Sequence, residues 1–391
     1  MILLTPTFPR QANHANVEFF AGIFILALLS FKQYSRKAVV TPTLATFSFR
    51  VVTFAMYFYA GFHKLNRDFF DASVSCANEF GSEKIIRIFN SLGCGPCSPI
   101  FTQLPYPALT VFVEMVVPFG LFHSKTRKAA VAILLLFHTF LSIYGFSNFS
   151  ALAIFLLTGS CIDFTKGVSI RTLKALRIYV AATLIYTICH FLRDIQLPGF
   201  RSASVTMMLS AAIFSGGAFF FFYIFLKENK STTYSFTANQ LPILLGIFIC
   251  ISFWALRNYI GLGTIGNFTM FRNLVTEKSR NNRLLIDTRK TKIWDFEEDY
   301  VQIIELDNRL KWQKSNSRIM HRILIPMVEF GTMIDQWSEQ YSGQISCTLI
   351  HNGEKMTIPD LRTSRFGKYR WWYHFLPFRV IQVDGANKCR W

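Results

Sequence analysis

Residues 44–64 read Leu44-Ala-Thr-Phe-Ser-Phe-Arg50-Val-Val-Thr-Phe-Ala-Met-Tyr57-Phe-Tyr-Ala-Gly-Phe-His63-Lys64. Apart from scattered hydroxyls and Arg50, the run stays apolar until His63. It is long enough to cross the roughly 30 Å hydrocarbon core of a bilayer, which takes about 20 helical residues. Seven further apolar runs lie near 17–31, 105–122, 128–146, 148–163, 178–192, 204–226 and 240–256. The sequence therefore predicts a mainly α fold, a polytopic transmembrane bundle of about eight helices carrying a small C-terminal β-rich extramembrane domain. Gly145-Phe-Ser-Asn148 is a tight break that makes the fourth and fifth runs a hairpin.

The composition agrees with this reading. Of 391 residues, 51% are hydrophobic, 16% aromatic and 16% charged, which excludes a disordered chain and does not suit a solubility-optimised soluble domain. The net charge of +18, from 41 bases against 23 acids, first suggests a polyanion partner. Its distribution argues otherwise. Residues 1–257 carry 21 bases and 9 acids, so the excess is concentrated in the most apolar part, and the tail's bases alternate with acids and form no nucleic-acid stripe. Twelve bases fall in odd-numbered loops, at positions 32, 36, 37, 125, 127, 128, 166, 171, 174, 177, 227 and 230, against seven on the opposite side. By the positive-inside rule the odd loops are cytoplasmic and both termini are exterior or lumenal. The first 16 residues lack a signal-peptide design.

Three segments follow: an N-terminal tail 1–16, a transmembrane domain 17–257 with an outer loop 65–103, and an exterior or lumenal β-rich domain 258–391. In the last, Lys292-Ile-Trp-Asp-Phe296 and Tyr300-Val-Gln-Ile-Ile-Glu305 alternate as strands. Residues 345–358 read as a hairpin closed by Asn352-Gly353, the favoured two-residue turn. The stretch from Ile319 to Tyr341 reads as one helix, interrupted at Pro326 and Gly331.

Eight cysteines divide by predicted side. Cys161, Cys189 and Cys250 fall in or near helices as small buried hydrophobes. Cys76, Cys94, Cys97, Cys347 and Cys389 fall on the outer side, where disulfides persist. Cys94-Gly-Pro-Cys97 has the spacing of a thiol–disulfide redox pair but no strand before it and no long helix after it. The pair is a local staple, one member bonds to Cys76, Cys347 or Cys389, or the pair is a redox centre.

Charged groups inside apolar runs are costly and need a partner or a role. Arg50 is expected to snorkel to the cytoplasmic surface. Glu114 and His138 lie mid-way along neighbouring helices, at similar depth. They form either a buried packing pair or part of a site. Lys64 ends its helix at the outer side, with Asp68 four residues on as a salt-bridge partner. Alternatively, a lysine withdrawn from water, with no carboxylate holding its charge, serves as a general base at neutral pH. His63 lies about 100° around the helix from it.

Tyr57-Phe-Tyr-Ala-Gly-Phe-His-Lys-Leu-Asn-Arg-Asp-Phe69 resembles a helix end of the vitamin K-dependent gamma-carboxylase-like proteins, whose membrane part is the horizontally transferred transmembrane (HTTM) domain. Further matching blocks follow in order: Glu114-Met-Val-Val-Pro118, Lys125-Thr-Arg-Lys128, Leu136-Phe-His-Thr139, Phe146-Ser-Asn-Phe-Ser150, then Gly266-Asn-Phe-Thr-Met-Phe-Arg-Asn-Leu-Val-Thr-Glu277 with Asn281-Asn-Arg283. The resemblance implies a lumenal active-site face, a vitamin K hydroquinone-like quinol as cofactor, and Lys64 as the base that deprotonates it. It also implies carboxylation of a secreted peptide or protein as a lyase-type reaction. His63 and Asn66 stand where the carboxylase usually has Lys and Asp, and the 134-residue tail leaves no room for its large lumenal region.

Three functions compete on these grounds. The first is a quinol-dependent enzyme with Lys64 as base and His63, Glu114 and His138 in its site. The second is a membrane thiol–disulfide or quinone redox protein centred on Cys94 and Cys97. The third is a non-enzymatic membrane accessory. There is no phosphate-binding loop, zincin His pair or nucleophile elbow, and no metal site is expected.

Overall fold

The computed structural model describes residues 16–17, 19–24, 42–84, 103–143, 147–161, 169–194, 213, 216–228, 240–269, 273–277, 281–310, 320–368 and 370–383. The chain divides into two compact units. One holds Asn16, His63–Cys76 and the chain from Phe253 onward; the other holds Val17–Phe62 and Ala77–Ser252.

The second unit is helical. It contains α1 (Pro42–Phe62), α2 (Tyr106–Met115), α3 (Arg127–Ile143), α4 (Ser147–Cys161), α5 (Ile170–Asp194) and α6 (Gly217–Glu228). Most of α7 (Leu241–Leu256) belongs to it as well. α1 is its centre and packs on both α2 and α4. Two glycines permit that approach: a Cβ at Gly159 would strike the Phe49 ring, and one at Gly61 would strike Met115. Ser142 and Ser150 join α3 to α4 by a 2.7 Å bond.

The expected eight-span bundle does not form. Among the described residues, one helix is long and apolar enough to cross a membrane, Leu241–Tyr259, with 19 residues. The other apolar runs are helical but too short or too polar. α2 gives way to a 3-10 turn, Val117–Leu121, because Pro118 has no N–H to continue it. α3, α4 and α6 have 17, 15 and 12 residues, or about 26, 23 and 18 Å at 1.5 Å per residue. α1 has 21, but Thr46, Ser48, Arg50 and Thr53 are buried along it. α5 carries Arg171, Lys174 and Arg177. The expected runs at 17–31 and 204–226 lie only partly within the described residues. The count of bases across alternating loops loses its basis with the span count.

Arg50 also departs from expectation. It does not snorkel: it is 1% exposed, its Nε donates to the Ser160 carbonyl at 2.9 Å, and its guanidinium lies 4.7 Å from the Phe47 ring centroid. The last carbonyls of a helix lack internal partners, and the end of α4 satisfies both groups away from water. Cys250, expected inside, is exposed and free on α7. α2, α3 and α5 turn Leu109, Phe112, Leu136, Leu184 and Ile185 outward, apolar surface of the kind that marks a membrane or partner contact.

In the first unit a five-stranded antiparallel sheet has the order β4-β3-β1-β2-β5, with β1 (Tyr300–Leu306), β2 (Ile323–Pro326), β3 (Cys347–His351), β4 (Glu354–Ile358) and β5 (Ile381–Gln382). The hairpin β3–β4 closes on Asn352 and Gly353, both at positive φ as that turn requires. β1 buries Val301 and Ile303, then a register shift before Glu305 brings Leu306 to the same face. α8 (Met327–Gln340) covers the sheet with Phe330, Met333, Ile334 and Trp337.

Two expectations fail here. Residues 319–341 are not one helix, because Ile323 and Ile325 alternate inward as β2 and Pro326 starts α8 rather than interrupting it. Gly331 lies within α8 without breaking it. Lys292–Phe296 is not a strand. Asp287 caps a short helix, Thr288–Thr291, through the Arg289 N–H, and Lys292 turns inward. Cys347, counted among the outer disulfide candidates, is a free thiol in the sheet core, and burial pushes it up to about 12.

A motif unremarked in the sequence recurs three times in this unit. Asp287-Thr-Arg289, Asp307-Asn-Arg309 and Asp360-Leu-Arg362 each fold so that the Asp carboxylate accepts both the Arg N–H and its guanidinium. These bonds lower all three carboxyls, Asp287 to about 2 from the usual 3.8. A depressed carboxylate stabilises the fold above its unfolded value, and the benefit disappears as pH falls through the folded one. Melting of Asp360→Asn against wild type should therefore differ at pH 6, with the gap closing as pH falls below the usual carboxylate value of 3.8; a constant gap would refute the coupling.

Candidate functional site

α1 ends at Phe62, and the next four residues leave the helix into a buried polar cluster. His63, Lys64 and Asn66 are each at most 1% exposed. The segment is fixed by main-chain pairing with residues 282–284: Arg67 N–H donates to Asn282 O at 2.8 Å and Leu284 N–H to Leu65 O at 3.3 Å. Asn66 serves twice. Its Oδ1 accepts from Phe69 N–H at 2.9 Å, capping the short helix Arg67–Phe70, and its Nδ2 donates to His63 O at 3.1 Å. An Asp could cap but could not donate.

Both ring nitrogens of His63 are engaged. Nε2 faces the Asn267 carbonyl at 3.1 Å and Nδ1 the Tyr259 hydroxyl at 3.2 Å. A carbonyl only accepts, so Nε2 carries the proton and Nδ1 of the neutral ring accepts from Tyr259. The rings stack at 5.6 Å, and the Arg283 guanidinium lies 3.1 Å from the Tyr259 centroid on a cation–π contact. Phe268, beside Asn267, takes a left-handed φ of 61° that a bulky residue adopts only when its surroundings impose it.

A buried charge network adjoins this cluster. Glu297 accepts from Lys292 Nζ at 2.7 Å, with both side chains fully buried, and from Thr276 Oγ1 at 2.8 Å. Lys292 also reaches Glu298 at 2.7 Å, and Arg379 Nη2 pairs with Glu277 at 2.9 Å. Burial raises the Glu297 carboxyl, and neighbouring Glu277 acts in the same direction against Lys292 and Arg379. Burial lowers Arg283 well below its ordinary range, with Glu297 opposing. Burial alone would lower Lys292, but the two glutamates raise it.

In the second unit, Tyr57 of α1 bonds His138 Nε2 of α3 at 2.6 Å, and the Glu114 carboxylate acts electrostatically on the same tyrosine. Glu114 and His138 are thus brought around Tyr57, which the sequence reading did not single out. α2 and α3 also form an open apolar groove of about 340 Å³ whose walls include Leu109, Phe112, Val113, Ile133, Leu136 and Phe137. Cys94 and Cys97 lie outside the described residues.

Of the sequence-named residues, His63 and Lys64 lie in the first unit and Glu114 and His138 in the second. Residues 25–158 match the family model of the HTTM domain. Over those residues the chain is similar to the HTTM domain. The HTTM match contains all four residues, Tyr57, and the blocks through Phe146–Ser150. The later blocks, with Asn267 and Arg283, fall outside it. Comparison with curated proteins and with solved structures gave no match. An HTTM domain is consistent with a membrane protein, as are the exposed apolar faces of its helices. Tyr259, Asn267, Arg283 and Glu297 were missed as site residues. Residues 266–283 were legible as a segment through the resemblance, but nothing in them named a role.

Tyr259→Phe keeps the ring stack and removes the hydroxyl that donates to His63. The buried Nδ1 acceptor is then unsatisfied, at a cost of about 1–3 kcal/mol. Thermal melting should fall accordingly, and the ¹⁵N shift of His63 Nδ1 should move toward that of a free acceptor; an unchanged Nδ1 signal would refute the bond.

Proposed function

We propose that the protein is an integral membrane enzyme of the HTTM type in which Lys64 is the base that removes a proton from a lipid-soluble quinol, in a carboxylase-like lyase reaction on a secreted peptide or protein. The observation that carries this reading is the withdrawal of Lys64 from water at the end of α1, at 1% exposure, in the position the family resemblance assigns to the base.

Taken by itself, the second unit has an apolar groove between α2 and α3, with Tyr106 and Thr110 as polar lining, that would take an isoprenoid chain. A bound quinol would supply an acidic hydroxyl and, once deprotonated, reducing power. The chain's own part is narrower. His63, with both nitrogens bonded, holds the end of α1 in place, and Lys64 accepts and passes on a proton at Nζ. Tyr57, His138 and Glu114 form a buried polar point inside the helical unit.

We place the first unit on the exterior or lumenal side, as the family resemblance implies.

The test is direct. Full-length protein in lipid nanodiscs, given a vitamin K-type hydroquinone, oxygen, ¹³C-bicarbonate and glutamate-containing peptides, should consume the quinol and add one carboxyl mass to the peptide. Quinol consumption without that mass would keep the base and reject the carboxylase. No consumption above heat-treated protein would overturn the reading.

A further inference from the structure

We propose that residues 284–294 form a collar that lies in the membrane at the exit of the Leu241–Tyr259 helix and inserts its apolar side chains into the headgroup–acyl boundary. This rests on the reading of that helix as a membrane span. The segment reads Leu284-Leu-Ile-Asp-Thr-Arg-Lys-Thr-Lys-Ile-Trp294.

Its position is fixed by bonds to the last residues of the helix. Thr291 Oγ1 donates to Tyr259 O at 3.0 Å, and the N–H groups of Ile293 and Trp294 both reach Ile260 O at 3.2 Å. Arg283, just before the segment, lies on the Tyr259 ring. Gly261, at φ +87°, seats the Trp294 carbonyl so closely that any Cβ there would collide with it. The segment is therefore tied on three sides to the residues where the hydrocarbon ends.

Four of the side chains it exposes are large and apolar. Leu285 and Ile293 are each 68% exposed, and Leu284 and Trp294 are exposed beside them. A second strand of chain repeats the pattern: Arg257, in the last turn of the span, donates Nη1 to Phe375 O at 3.3 Å, and Phe375 and Trp371 are exposed. Of the collar's charges, Lys292 turns inward to Glu297 and Arg289 pairs with Asp287, while Lys290 is exposed, where a long side chain can reach the headgroups. Isolated exposed leucines mean little, but six large apolar side chains on two segments bonded to one helix end match the belt of Trp, Phe and Leu that seats proteins at the interface.

The occupant is the bilayer that receives the span, because a segment bonded to residues 259–260 cannot leave that level. p-Benzoylphenylalanine is placed at Leu285, Ile293 or Trp371 of the full chain, with Glu354 of the β3–β4 hairpin as control. The protein is irradiated in phosphatidylcholine nanodiscs and weighed intact. Lipid adducts at the three positions should exceed those at Glu354 by roughly tenfold, as for groups seated about 5–10 Å into the boundary. Adducts no higher than at Glu354, or crosslinks to a second copy instead of lipid, would overturn the collar. Release of the wild-type chain from membranes by alkaline carbonate would overturn the membrane reading beneath it; retention without adducts would overturn the collar alone.

Discussion

Lys64→Met is expected to lower quinol turnover by a factor of about 10²–10⁴, the usual contribution of a positioned general base. Met preserves most of the aliphatic stem and the packing of a side chain that is 1% exposed, so the loss should come without a fall in membrane abundance or melting temperature. Lys64→Arg should be equally inactive, because a guanidinium stays protonated and cannot accept a proton at neutral pH. Lys64→Ala adds a diagnostic: small primary amines in solution should restore part of the rate, more for amines that fit the lost side chain. His63→Gln should behave differently. Its role is to hold the end of α1 through Tyr259 and Asn267, so it should reduce stability and rate together without amine rescue. Wild-type turnover in Lys64→Met would remove Lys64 from the chemistry altogether.

How much of this was legible depended on where each signal resides. The helices of the second unit were readable because apolar runs of local residues decide them, and α1 falls at Pro42–Phe62 against an expected 44–64. Whether a run spans a membrane was not, since that turns on interruptions such as Pro118 and on polar residues that pack inward, such as Arg50 and Thr53, which a run read alone leaves facing lipid. The β3–β4 hairpin was readable because Asn352-Gly353 alone specifies its turn, while Ile323–Pro326 was taken as helix because its alternation is only four residues long. In the site, Lys64 could be named from its place at a helix end. Tyr259 and Asn267 could not, because their bonds to His63 span 196 and 204 residues. Asn66, which looked like a departure from the family pattern, proves to need its amide, since Nδ2 donates to His63 O.

Glu297→Ala is expected to cost about 3–5 kcal/mol, the penalty for breaking a buried ion pair by removing one partner, which is a large share of the roughly 5–15 kcal/mol that holds a typical domain folded. Lys292 Nζ loses its closest buried acceptor and keeps only Glu298, whose side chain is 25% exposed. Thr276 Oγ1 loses both of its contacts to the carboxylate. Arg283, whose Nε and Nη2 are already buried without a hydrogen-bond partner, loses the one charge that opposes its desolvation. The reverse deletion, Lys292→Met, should be comparably harmful, because it leaves Glu297 buried beside Glu277. Removing both partners is the informative case. In Glu297→Leu/Lys292→Met neither charge is stranded, and most of the loss should be recovered, since an apolar pair of similar volume often equals a buried ion pair. Thermal melting of the full-length variants in detergent, arranged as a double-mutant cycle with the Glu297→Leu and Lys292→Met singles, should give a coupling of about 4 kcal/mol or more, above the usual range for residues in one network because each single strands a buried charge. Additive losses would mean that the two side chains stabilise the fold independently, and the network would then be no more than a set of neighbouring bonds.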